Sequence, residues 1–333
     1  MSTSIQIIIA YLGIDVAKAK LDVVIRRAHT SSHHVFANCT EGFEQLHHCL
    51  ELQQLAPEQV HVSLEATGSY SDAIASFLFT AGYSLSLLNP AVLVDYRRSK
   101  QTRSKTDKLD ATLLACYGQE NHPRLWKPLP QVIVTLRALL AYRDDLQHLL
   151  RQEHNRLEAG RMTEWIEQNV RKHVSEVTKQ FKETERRIKA HLKEHLDLKA
   201  IWNRLQSIPG IGWLSAARLI AHLGEIERFP KVGSLVSLAG LAVKEHQSGS
   251  SVRGRPQIDR HGRSDLRQTL YMCALVSMRC SAEMKGWAAR LQTQGKAKKV
   301  IIVAVMRKLL HIAYGVWKNE QEYQAPIAFP MAA

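Results

Sequence analysis

The sequence predicts a chain of two fold classes, α/β at the N-terminal end and mostly helical at the C-terminal end, joined by a long charged helical segment. Three observations predict it. Strand-length apolar runs alternate with amphipathic stretches through residues 5–118. Residues 131–199 are almost free of Gly and Pro and rich in charge. Residues 201–320 keep a helical period, broken by one loop at 244–264 rich in Gly, Ser and Arg. A length of 333 residues suits two domains.

In chain order, Ile5–Ile14 reads as a nearly continuous apolar strand ending in Asp15. Leu21–Arg26 and His33–Asn38 are shorter strands, and the three together suggest an antiparallel meander. Glu41–Leu55 is a helix, Val60–Leu64 a strand ending in Glu65, and Tyr70–Ala81 a helix. Tyr83–Leu88 is a strand closed by Asn89-Pro90, and Asp107–Gln119 a helix. Three strands followed by alternating helices and strands is the order of an RNase H-like fold, one of several α/β arrangements this pattern allows. Pro123, Pro128 and Pro130 mark a linker. Beyond it Val170, Val174, Val177, Phe181, Ile188, Leu192 and Leu196 recur at spacings of three, four and seven, a heptad stripe. It reads as a coiled-coil arm for self-association, or as a helix packed on its own domain. The expected boundaries are 1–122, 123–200, 201–323 and a tail at 324–333.

A net charge of +14 favours a polyanionic partner. A membrane partner is disfavoured, because no apolar run approaches the roughly 18 residues of a spanning helix. The run Ile5–Ile14 lacks the basic flank and cleavage site of a signal peptide. Cys39, Cys49, Cys116, Cys273 and Cys280 are odd in number and scattered, which suggests neither a disulfide framework nor a zinc site and fits a reducing cytoplasm.

Asp15 and Glu65 end strands, and Asp107 and Asp110 share one face at a helix start. Clustered carboxylates repel unless a cation lies between them. Hard oxygen ligands suit Mg²⁺ or Mn²⁺, and a metal pair can clamp a scissile phosphate. Each acid also has a structural reading: Asp107 can cap its helix with Asp110 as the capping-box partner.

Ile208-Pro209-Gly210-Ile211-Gly212 lies between two helical stretches and reads as a helix-hairpin-helix. Gly210 and Gly212 let the backbone approach a phosphate without reading sequence, unless the turn is merely a packing element. In the loop, Arg253, Arg255, Arg260, Arg263 and Arg267 offer forks for phosphates. Ser248, Ser250 and Ser251 are each candidate nucleophiles, or residues of a solvated linker.

These pieces, in this order, resemble the DEDD transposases of the IS one-ten insertion-sequence family, the bridge-RNA-guided recombinases. The resemblance rests on Gly13-Ile14-Asp15-Val16-Ala17-Lys18, Glu65-Ala66-Thr67-Gly68, Thr106-Asp107-Lys108-Leu109-Asp110-Ala111, the 208–212 turn and the Ser248-Gly249 loop running on to Leu266-Arg267. It implies a RuvC-like RNase H fold, a coiled-coil arm and a helical transposase domain. It implies Asp15, Glu65, Asp107 and Asp110 as the metal-binding set and Ser248 as the nucleophile of a serine–DNA covalent link. It further implies target and donor DNA and a noncoding guide RNA as partners, and a homo-oligomer, dimer or tetramer. Two other readings of the same residues are a metal-dependent nuclease of junction-resolvase type and a non-catalytic nucleic-acid-binding protein.

Overall fold

The computed structural model describes residues 7–28, 30–66, 68–101, 104, 106–244, 247–248, 252–253, 257–259 and 262–329, with backbone only at 69, 247, 248, 252 and 253. The chain divides into two units, Met1–Pro128 and Leu129–Ala333.

The first unit holds β1 (Ala10–Val16), β2 (Lys20–Arg26), β3 (Ser31–Ala37), α1 (Thr40–Leu52), β4 (Val60–Glu65), α2 (Ser69–Thr80), β5 (Ser84–Leu88), α3 (Pro90–Ser99) and α4 (Asp107–Asn121). The sheet order is β3-β2-β1-β4-β5. β1, β2 and β3 are antiparallel neighbours, and β4 and β5 run parallel to β1. This is the meander followed by parallel strands that the pattern predicted, and it is the strand order of an RNase H-like sheet.

The two faces of the sheet differ in side-chain size. Leu12, Ile14, Leu21, Val23, Val62 and Leu64 turn to one side, where Leu46 and Leu50 of α1 and Ile74 and Leu78 of α2 complete an apolar core. By the strand period of two, Gly13, Asp15, Asp22, His61, Ser63 and Glu65 turn to the other, where α4 lies. This second face is small and polar, and α4 answers with Ala111, Ala115 and Gly118, all buried. A Cβ on Gly13 would lie 1.8 Å from the Ala111 carbonyl oxygen, and one on Gly118 2.4 Å from Ser63 Oγ. Only small residues allow that approach, and it carries the start of α4 to the strand ends.

Helix α3 was not expected. Asn89-Pro90 was read as a strand terminator, but it also starts a helix: the Asn89 side chain accepts from the Ala91 amide at 2.9 Å, with Pro90 in the first turn. The proline segment is likewise more than a tether. The Trp126 amide donates to the Leu85 carbonyl at 2.6 Å, and Ser86 Oγ donates to the Pro123 carbonyl at 3.1 Å, which covers the β5 edge.

The second unit holds α5 (Gln131–Glu158), α6 (Glu164–Glu194), α7 (Leu196–Gln206), α8 (Trp213–Leu223) and α9 (Val232–Leu238). A β segment of β6 (Val243–Lys244), β7 (Gln247–Ser248), β8 (Val252–Arg253) and β9 (Gln257–Ile258) follows. It is succeeded by α10 (Ser264–Cys280), α11 (Ala282–Thr293), α12 (Lys298–Lys318) and α13 (Ala325–Ala328). α5 and α6 pack as an antiparallel pair: His191 bonds the Val132 carbonyl at one end, Arg143 pairs with Glu185, and Glu153 pairs with His173 further out. Val170, Val177, Ile188 and Leu192 of the heptad stripe are buried within the single chain, while Leu196 stays exposed. The covering partner of the stripe is thus α5, whose own Ile133, Leu136 and Leu140 join the same core.

α12 corrects the expectation on apolar length. By length and composition it is the one helix among the described residues able to cross a membrane. Arg307 and Lys308 interrupt it in sequence, so no unbroken run is visible. Ile301, Val305, Leu309, Leu310 and Ala313 on its inner face belong to the core of the unit.

Candidate active site

Parallel pairing sets Ile14 beside Leu64, so the next residues, Asp15 and Glu65, end adjacent strands side by side on the α4 face. Antiparallel pairing sets Asp22 directly opposite Asp15. The N-cap of α4 is Thr106, whose hydroxyl accepts from the Leu109 amide at 3.2 Å. Asp107 therefore stands in the first helical turn and is not the cap, which removes its capping-box reading. Asp110 is 5% exposed, at the end of the small-residue stripe that docks α4 on the sheet.

The four predicted acids share one electrostatic environment. The Asp15 carboxyl is pushed up to about 6, first by burial and then by the charges of Asp110, Asp107, Glu65 and Asp22. Two cations offset this charge. Lys20 Nζ lies 2.7 Å from Asp107 Oδ2 and 2.9 Å from Asp22 Oδ2, and these bonds hold its ammonium well above the usual lysine range. Arg97 of α3 bonds Asp110, and its Nε has no hydrogen-bond partner. His33 bonds the second Asp22 oxygen at 2.9 Å.

Among the described residues no three His, Cys, Asp or Glu side chains are gathered closely enough to cradle a metal. Lys20 and Arg97 hold Asp107 and Asp110 by salt bridges. The donor set still fits a hard divalent ion, because every ligand is a carboxylate oxygen on a fixed strand end or helix start. Lys20 and a metal then compete for Asp107. Lys20→Met is expected to tighten Mn²⁺ binding roughly fivefold, measured by calorimetry without DNA. Unchanged affinity would show that the lysine does not compete.

Sequence reasoning on acids alone missed Lys20, Asp22 and Arg97. Lys20-x-Asp22 was the available signal, since a period of two puts both on the face that Asp15 uses. Arg97 had no such signal, because it reaches Asp110 from a helix that was not expected.

In the helical unit, the 208–212 turn joins α7 to α8 as predicted, and Trp202 Nε1 donates to the Trp213 carbonyl at 2.9 Å across it. Gly210 has φ +96°, and a Cβ there would lie 2.7 Å from the Cys273 carbonyl oxygen and from Ser277 of α10. Packing on α10 and backbone conformation thus require this glycine. Gly212 faces open space at the start of α8, so of the two expected contacts Gly212 is the one not filled by packing.

The serine loop is a β-hairpin rather than a featureless loop. Val243 pairs with Ile258, Lys244 with Gln257, Gln247 with Arg253 and Ser248 with Val252. Its foot is fixed by amide bonds from Asp259 to Ala242 and from Arg263 to Leu238, both 2.7 Å. Ser248 sits at the last pair before the tip, and Arg253 on the returning strand. Ser250, Ser251, Arg255 and Arg260 lie outside the described residues. Arg263 is exposed at the start of α10. Arg267 corrects the expectation: its Nη1 donates to the carbonyls of Ala239 and Gly262 at 3.1 and 3.0 Å, which braces the foot of the hairpin instead of leaving the side chain for a phosphate.

Comparisons with known proteins match both units. A DEDD transposase profile of the IS110 type matches residues 12–160, and a profile described as the transposase IS116/IS110/IS902 family matches residues 202–288. The pilin gene-inverting protein of Moraxella bovis is 32% identical over 320 residues, 95% of this chain and 98% of that protein. An insertion element IS110 43.6 kDa protein of Streptomyces coelicolor is 25% identical over 153 residues, 45% of this chain and 38% of its own length. Among solved structures, T. thermophilus RuvC in complex with a Holliday junction substrate aligns at 12% identity and a TM-score of 0.25, over 35% of this chain and 99% of that one, which adds nothing to the strand order described above. With family profiles matched in both units and a near-full-length relative at 32% identity, the chain belongs to the IS110 family of transposases, enzymes that recombine DNA.

Proposed function

We propose that the protein cuts and exchanges DNA strands as the transposase of an insertion element, through a serine–DNA link made by Ser248 and with Asp15, Glu65, Asp107 and Asp110 as its metal-binding set. The observation that carries the reading is the register that sets Asp15 beside Glu65 at the ends of β1 and β4, on the sheet face where α4 begins with Asp107 and Asp110. Mg²⁺ or Mn²⁺ bound there supplies neutralising charge for a scissile phosphate. The Ser248 hydroxyl attacks phosphorus and gives up its proton. The bond to one strand end breaks, and that end leaves as a hydroxyl. The number of phosphodiester bonds is conserved, so rejoining to a new end needs no nucleotide triphosphate.

Sequence choice in this reading comes from a noncoding RNA paired to target and donor DNA, with copies of the chain assembled on it as a dimer or tetramer. The +14 charge supports joint binding of RNA and DNA backbones, and base pairing relieves the protein of reading bases. The test is to recover and sequence nucleic acid that copurifies with the protein. A single structured RNA encoded beside the gene is the expected result, and random cellular RNA alone would remove the guide.

A second outcome of the same chemistry is inversion, favoured by the name of the Moraxella bovis relative. A plasmid carrying two inverted copies of the site separates the two: inversion flips the intervening segment, and transposition moves it.

A further inference from the structure

The helical unit carries a cleft of about 700 Å³ where α5, α8 and α10 meet, and none of the residues assigned above explains it except Arg263 at its edge. Five arginines line it: Arg137, Arg143 and Arg151 from α5, Arg218 from α8, and Arg263. Only Asp144 and Asp265 oppose them along the lining. Their tasks differ. Arg143 is buried and held by Glu185, Asp144 and Gln147, so it is structural. Arg137 Nε donates to the Ala221 carbonyl at 2.6 Å and closes the end of α8. Arg151 and Arg263 are exposed, and Arg218 reaches in to share Asp144.

The field in the cleft is positive. His222, whose Nε2 lies 3.6 Å from Asp265, is pushed down to about 4, chiefly by burial; Asp265 raises it, and Arg263, Arg137 and Arg218 each lower it. Leu140, Leu214 and Met272 give the cleft an apolar floor beneath this cationic rim. The cleft also continues, through Ser215 and Met272, into the groove lined by Pro209, Gly210 and Gly212 at the helix-hairpin-helix turn. A row of guanidinium forks above an apolar floor, continuous with open amides at a helix start, matches a chain of phosphates and sugars. An acidic peptide would satisfy the arginines but leaves the glycine turn without a ligand.

We propose that this cleft grips the sugar–phosphate backbone of DNA without regard to sequence, with Arg151, Arg218 and Arg263 on the phosphates and the 209–212 turn continuing the track. The inference rests on the chain acting on DNA, and it is independent of which residue attacks phosphorus. Asp144 holds Arg218 until a phosphate replaces it, so the carboxylate competes with DNA.

The test uses the full chain and fluorescence anisotropy with duplexes of two unrelated sequences over a salt series. Arg151→Gln with Arg218→Gln is expected to raise Kd about tenfold on both duplexes and to flatten the slope of log K against log salt by about two. Asp144→Asn is expected to tighten binding about threefold, a gain that a folding defect cannot produce. Arg186→Gln with Arg187→Gln, on the exposed face of α6, is expected to change nothing. An unchanged slope in the cleft variant, an equal loss in the α6 variant, or a loss confined to RNA would overturn the proposal. Cleavage by Asp15→Asn and adduct formation by Ser248→Ala report on the cutting mechanism and not on the cleft, so failure of the cleft and failure of the cutting mechanism give different results.

Discussion

Asp15→Asn is expected to lower divalent-metal-dependent cleavage of DNA roughly a thousandfold while making the protein without metal more stable above pH 6. The Asp15 carboxyl is held up to about 6 by burial and by the charges of Asp110, Asp107, Glu65 and Asp22. The sign of the stability change follows from linkage. A folded-state pKa above the unfolded value of 3.8 means the folded chain binds more protons between about 4 and 6. Stability therefore falls as pH rises through that window and stays lower above it. Asparagine carries no charge to crowd its neighbours, so that loss disappears. Thermal melts without metal should show the variant above wild type at pH 8 and level with it at pH 4. A cleavage assay with Mn²⁺ should show the activity gone. Retained cleavage would take the acids out of the mechanism. A variant less stable than wild type at pH 8 would show that Asp15 is tied to a cation rather than pressed by acids.

Legibility in the sequence followed how local each signal was. Strands β1, β2, β4 and β5 were readable as strand-length apolar runs, and Asp15 and Glu65 as the acids that close two of them. The close docking of α4 was not, because Gly13, Ala111, Ala115 and Gly118 reveal themselves as a pair of surfaces only once the sheet order is known. The cations were lost for a related reason: Lys20 and Arg97 acquire meaning from the acids they meet, which are up to 87 residues away in sequence. The heptad stripe on α6 was real as a pattern and ambiguous in partner. A stripe specifies that something apolar covers it, and α5, antiparallel to α6 and of similar length, is the cover within the chain. The serine segment reads as loop by composition, since Gly, Ser and Arg dominate it. Its pairing rests on Val243, Val252 and Ile258, too few for a strand signal.

Ser248→Ala is expected to abolish any covalent protein–DNA adduct and to bring strand exchange below detection, with DNA binding unchanged. The hairpin gives the physical basis. Ser248 pairs with Val252 and Gln247 with Arg253, so the serine backbone is held in a two-stranded ribbon. The ribbon is anchored where Gly240 and Gly262 cross, at a spacing that puts a Cβ of Gly262 2.1 Å from the Gly240 nitrogen. A backbone fixed by pairing leaves a residue less orientational freedom than a solvated loop does, and orientation is a large part of a nucleophile's rate. The alanine variant removes the oxygen and leaves the ribbon. Denaturing electrophoresis of end-labelled DNA, with mass spectrometry of the trapped peptide, reads the outcome directly. Cleavage that persists without an adduct would make water the nucleophile and the protein a metal-dependent nuclease. An adduct that persists and maps to Ser250 or Ser251 would move the attack to the neighbouring hydroxyl and keep the rest of the mechanism.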